Sequence, residues 1–92
     1  MTLVRKRILV GGRVQGVGFR YFTSSVGRNL GLVGQVRNEP DGTVLIEVEG
    51  DPIAVEQFLL QVQQGPALAR VTTCEVEDLP PGSGLSAFEI AR

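Results

Sequence analysis

Histidine and tryptophan are absent from this chain of 92 residues, and cysteine, methionine and tyrosine occur once each. Each gap excludes something. Without histidine there is no Ser-His-Asp or Cys-His nucleophile pair, no imidazole base and no imidazole-ligated metal. Any chemistry must be run by arginine, asparagine, carboxylates, hydroxyls and backbone amides. One cysteine, Cys74, cannot close an internal disulfide, and such sparse use suits a reducing compartment, so the cytoplasm is the expected location. Four Phe and one Tyr offer few stacking platforms, and 9 basic against 10 acidic residues leave a net charge of −1. A nucleic-acid partner is therefore not expected. The apolar runs are short, as in Phe58-Leu59-Leu60, and residues 1–10 hold no apolar stretch of signal-peptide length. No membrane association is expected.

What is present is ordinary globular material. Hydrophobic residues make up 42% and charged residues 21%, and a chain of this size can bury about 64% of its unfolded surface. One domain, 1–92, is expected, with no repeat or linker inside it. Residues 3–11 read as a strand with Val4, Ile8 and Val10 on one face, followed by a loop from Gly11 to Gly18. Phe22, Val26 and Leu30 recur every four residues and predict a helix that Gly31 stops. Val33–Asn38 and Thr43–Glu49 read as strands joined through the turn Glu39-Pro40-Asp41-Gly42. Asp51 caps a second helix, Pro52 sits at its first position, and Val55, Phe58, Leu59 and Val62 form its apolar stripe. Residues 68–78 and a short stretch carrying Phe88 and Ile90 complete the set. The order βαββαβ predicts an α+β, ferredoxin-like sandwich: an antiparallel sheet, two helices on one face, and a short extra C-terminal strand.

The informative segment is Gly12-Arg13-Val14-Gln15-Gly16-Val17-Gly18-Phe19-Arg20. It leaves a strand, turns through glycines and enters a helix, so its backbone N–H groups can converge on an anion near the helix N-terminus. Arg20 would stand in the first turn, where its charge opposes the helix dipole and its planar guanidinium can grip two phosphate oxygens. A nucleoside-triphosphate loop fails here, because Val17 and Gly18 fill its Lys and Ser/Thr positions. A dinucleotide fingerprint fails at Tyr21, which replaces its third glycine. The glycines by themselves suit a ligand-free strand-to-helix turn equally well.

GRVQGVGFRYF followed by GLVGQVRNEPDGTV closely resembles acylphosphatase, a family of small enzymes that hydrolyse carboxyl–phosphate bonds. The resemblance runs the length of the chain and implies the ferredoxin-like fold. It implies that Arg20 and Asn38 are catalytic, Arg20 binding the phosphoryl group and Asn38 orienting water. It also implies a phosphate-binding loop of Gln15, Gly16, Val17, Gly18 and Phe19, with no metal and no cofactor. The implied partner is a small acyl phosphate, and inorganic phosphate or sulfate can occupy the same place; a stand-alone monomer is expected rather than a domain of a larger carbamoyl-phosphate-handling protein. Gln35 stands where many members carry an aromatic residue, and Gly11 where histidine is common. The competing reading is a non-catalytic phosphate- or small-anion-binding module of the same fold.

Other residues read as structure. Asn38 by itself would pass for a turn residue, and Asp41-Gly42 for hairpin chemistry. Arg5-Lys6-Arg7 reads as a charged edge strand that discourages further pairing. Glu47 and Glu49 read as a solvated face, Cys74 as core, and Glu75, Glu77 and Asp78 as an exposed strand face. Arg13 and Arg37 flank the loop and turn, where they would raise the positive potential or pair with nearby carboxylates.

Overall fold

Two side-chain periods, two in strands and about 3.6 in helices, sort the chain into its elements. They are β1 (Val4–Arg13), α1 (Phe19–Asn29), β2 (Val33–Asn38), β3 (Val44–Gly50), α2 (Pro52–Gln64), β4 (Arg70–Leu79) and β5 (Phe88–Ile90). The structure is a computed structural model describing residues 2–91; Met1 and Arg92, the ends of the expected domain, lie outside the described residues. The sheet order is β4-β1-β3-β2-β5. This is the ferredoxin-like α+β sandwich, antiparallel across its first four strands. The short last strand adds a detail: β5 runs parallel to β2, pairing Gly34 with Phe88 and Val36 with Ile90. Because β4 and β5 lie at opposite edges of the sheet, the segment between Leu79 and Phe88 crosses its full width to join them.

Residues two apart share a face, so Ile8, Val10, Val36, Val44, Ile46 and Val48 all lie buried beneath the helices. From α2, Val55, Phe58 and Val62 meet them, as the apolar stripe predicts. The Asp51 carboxylate accepts from the amides of Ile53 and Ala54 at 3.1 and 3.2 Å, and Pro52 follows it at the first position. Gly65 ends that helix. The Phe58 and Phe88 ring centroids lie 5.5 Å apart at the centre of the core. Truncating Phe58 to alanine there would cost about 3–5 kcal/mol.

Helix α1 buries more than its apolar repeat shows. Thr23, Ser24 and Gly27 are buried beside Phe19 and Val26. A Cβ on Gly27 would collide with the Phe88 ring, so a small residue lets β5 pack against the helix. At the helix end the amide of Leu32 donates to Gly27 O at 2.9 Å and that of Gly31 to Arg28 O at 3.1 Å, a Schellman closure.

Three expectations from the sequence change. Strand β1 continues through Gly12 to Arg13, across a register shift at Gly11/Gly12, so the loop proper is shorter than Gly11–Gly18. Arg5-Lys6-Arg7 is no edge: β1 lies between β3 and β4, and the three cations pair across strands with Glu47, Asp78 and Glu77. Nor is Glu49 solvated. It is buried, and its carboxylate accepts hydrogen bonds from Ser83 Oγ and from the amides of Gly82 and Ser83. Those bonds hold its pKa below the ordinary 4.5, the Ser83 hydroxyl contributing most. Arg5 donates to Pro80 O at 3.2 Å, so Arg5 and Glu49 together tie down the crossing segment.

Candidate active site

The loop after β1 is anchored by what it buries. Val14 and Val17 enter the core, and Phe19 follows them as the first residue of α1. Between these anchors Gly16 and Gly18 adopt φ of 74° and 78°, a left-handed conformation that side chains disfavour. Such alternation of positive and negative φ is the backbone pattern that lets successive N–H groups converge on an anion. Among the described hydrogen bonds, none takes up the backbone N–H groups from Gly16 to Tyr21. No acidic residue occupies the first turn of α1. The result is a row of free donors at the positive end of a helix, a receiving surface for an anion.

Gln15 holds this loop in place. Its Nε2 donates to Glu39 O at 2.8 Å and to Thr43 O at 2.9 Å, stapling the loop to the β2–β3 turn. That turn is itself locked: the amide of Glu39 donates to Thr43 O at 2.8 Å and the amide of Gly42 to Glu39 O at 3.1 Å. The hydroxyl and amide of Thr43 donate to the Asp41 carboxylate at 2.6 and 3.0 Å, which lowers the Asp41 pKa. Asn38 ends β2 immediately before this turn. Loop and turn are therefore one rigid unit, and Asn38 rides on it.

Arg20, Asn38, Gly16, Gly18, Phe19, Val14, Tyr21 and Ile90 line one cavity of about 200 Å³. Arg20 forms no ion pair among the described residues. The buried Oδ1 of Asn38 has no hydrogen-bond partner among the described residues, a condition shared only with Thr23 Oγ1. Buried polar atoms are nearly always satisfied, so this unpartnered acceptor, on a residue that lines the cavity, is a candidate for pairing when the site is occupied. Among the described residues no three His, Cys, Asp or Glu side chains gather as a metal-ligand group.

Of the residues named from the sequence, Arg20, Asn38, Gly16, Gly18 and Phe19 meet in this cavity. Gln15 and Val17 do not line it; the first staples the loop and the second packs into the core. Arg13 and Arg37 also stay outside, and Arg37 lies 3.4 Å from Glu39. Sequence reasoning missed Val14, Tyr21 and Ile90. Val14 and Tyr21 flank the loop signature closely enough to have been found, but nothing local in Phe88–Ile90 connects Ile90 to the loop.

A ferredoxin-like sandwich that opens an anion-receiving cavity at the start of its first helix defines a class of phosphate-handling domains. Comparison with known proteins narrows the class. Residues 6–90 match the acylphosphatase family. The acylphosphatase of Anaeromyxobacter dehalogenans is 52% identical over 87 residues, which cover 95% of this chain and 94% of that one. The crystal structure of acylphosphatase from Bacillus subtilis superposes with a TM-score of 0.94 at 38% identity, covering 99% of this chain and 100% of the other. HypF of T. kodakarensis matches 97% of this chain at 32% identity and a TM-score of 0.85, but with only 12% of its own length. The same unit thus also occurs inside a longer chain. The protein belongs to the acylphosphatase family, and it hydrolyses the carboxyl–phosphate bond of acyl phosphates.

Proposed function

We propose that this hydrolysis is carried out by the amides of the loop Gln15–Phe19, by Arg20 and by a water held on Asn38, in one domain acting as a cytoplasmic monomer. The observation that supports it is the meeting of Arg20 and Asn38 in one cavity, the first without a carboxylate partner and the second with an orphaned buried oxygen among the described residues. The loop amides and the guanidinium take the three phosphoryl oxygens and stabilise the charge that spreads over them in the transition state. Asn38 Oδ1 accepts from a water and aims its oxygen at phosphorus, a positioning task that asks for no base. The water oxygen bonds to phosphorus while the bond from phosphorus to the acyl oxygen breaks. The electron pair leaves on the carboxylate, and the water's proton passes to a phosphate oxygen.

The leaving carboxylate has a conjugate-acid pKa of roughly 4, so it departs without help from a general acid. That is why a chain with no histidine can run the reaction. Inorganic phosphate or sulfate, sharing the tetrahedral anion, fits the same cradle. The charged outer strand β4, with Glu75, Glu77 and Asp78, resists edge-to-edge pairing and supports the monomer. The one free cysteine supports a reducing compartment.

The test is hydrolysis of an aryl-carboxyl phosphate by the purified protein in excess chelator, beside Arg20→Ala and Asn38→Ala. Turnover that ignores the chelator and collapses in both variants is the expected result. No turnover in a folded wild type that still binds inorganic phosphate would favour an anion-binding module instead.

A further inference from the structure

Two walls of the cavity have no role in holding a phosphoryl group. Tyr21 is 73% exposed and Ile90 42% exposed, yet both line the cavity beside Arg20 and Asn38. Neither is spent on the core. Tyr21 follows Arg20 on α1, outside that helix's buried set. Ile90 ends β5, next to the point where the amide of Ala91 donates to Val36 O at 2.8 Å and fixes the strand end. The geometry gives β5 two tasks: Phe88 fills the core, and Ile90 presents an aliphatic side chain at the cavity. Among the described residues that line the cavity, Arg20 is the only charged one. It is assigned to the phosphoryl oxygens, so the rest of the substrate meets apolar carbon.

From this we infer that Tyr21 and Ile90 form an acyl-group subsite, which makes acyl phosphates with an uncharged aryl or branched apolar acyl group the preferred substrates over acetyl phosphate. The inference rests on the assignment of Arg20 and Asn38 above. Contact with a part of the substrate that does not react stabilises ground and transition states alike, so it should show in KM and leave kcat little changed. An open rim is worth less than an enclosed pocket, and a preference of about tenfold is the expected scale.

The experiment measures kcat and KM for benzoyl phosphate and acetyl phosphate with the full chain, with Tyr21→Ala, and with Ile90→Ala. Expected is a fall of about threefold in the benzoyl-to-acetyl ratio of kcat/KM in each variant, roughly half of the preference on a logarithmic scale, carried by KM. Ile90→Leu and Tyr21→Phe should restore the ratio, because both return apolar area. Inhibition by inorganic phosphate, which has no acyl group, should stay constant across the set and so certify an intact loop. Ile53→Ala, an exposed change on α2 away from the cavity, should leave the ratio alone. A ratio unmoved in both alanine variants, or a loss carried by kcat for both substrates, overturns the subsite. Retained turnover in Arg20→Ala would instead overturn the assignment of the phosphate site, so the two failures are distinguishable.

Discussion

The two ends of β1 use charge in opposite ways. Near its start, Arg5, Lys6 and Arg7 each find a carboxylate on a neighbouring strand, and Arg5 reaches Glu47 at 2.9 Å. Past its other end, Arg20 forms no such pair among the described residues, the loop amides have no acceptor, and a buried asparagine oxygen is orphaned. Satisfied polar groups stabilise the sheet; unsatisfied ones cost stability and wait for a ligand. A guanidinium in the first turn of a helix is unfavourable by about 0.3–1 kcal/mol, and the chain tolerates it where an anionic substrate reverses the sign. The contrast separates structure from function within about twenty residues of sequence.

Exchanging Arg20 tests the functional end most severely. Arg20→Lys keeps the charge and loses the planar fork, and turnover should fall by about 10³-fold or more, measured as kcat on an aryl-carboxyl phosphate. Retention of most activity would reduce Arg20 to a point charge. Asn38→Ala should lower kcat by about 10²–10³ with unchanged thermal stability. A change in KM alone would make Asn38 a binder.

Gln15→Leu should cut kcat about tenfold while inorganic phosphate still binds, because the loop is no longer stapled to the strand end carrying Asn38. If the variant is as active as wild type, the other turn bonds suffice.

The structural end predicts effects on stability without effects on catalysis. Glu49 is held below its ordinary 4.5 by the Ser83 hydroxyl, then by the Gly82 and Ser83 amides, with Arg5 adding its charge. A lowered folded-state value means that the stabilisation is complete above about pH 4.5 and is lost as pH falls through the folded value. Glu49→Gln should therefore lower Tm at pH 7 by about 5 °C and flatten the acid limb of a Tm-against-pH curve. An unchanged acid limb would free Glu49 of that duty. The smallest effect belongs to Arg7→Ala: its pair with Glu77 at 3.1 Å is largely exposed, so denaturant unfolding should change by less than about 0.5 kcal/mol.

Much of the molecule is legible before folding. Asp51-Pro52 and Gly65 bracket α2, Gly31 closes α1, and the spacing of Gly16, Gly18 and Arg20 marks the loop. These are local signals, set by φ preferences, capping and periodicity over a few residues. Asn38 was different. Its neighbours spell a turn, and only resemblance to a family lifted it above that reading.

The misread residues share one cause. Arg5-Lys6-Arg7 looked like an edge and Glu47 and Glu49 like a wet surface, because a charged strand residue reads as exposed until its partners are known. The sequence alone determined where the chain turns, which residues cap and which loop offers its amides, since each follows from the chemistry of adjacent residues. Only the tertiary structure decided that β1 lies inside the sheet, that Glu49 is buried against the crossing segment, and that Ile90 reaches the cavity of Arg20. Those depend on which strands pair, and pairing between residues tens of positions apart is settled by the packing of the whole core rather than by any local stretch.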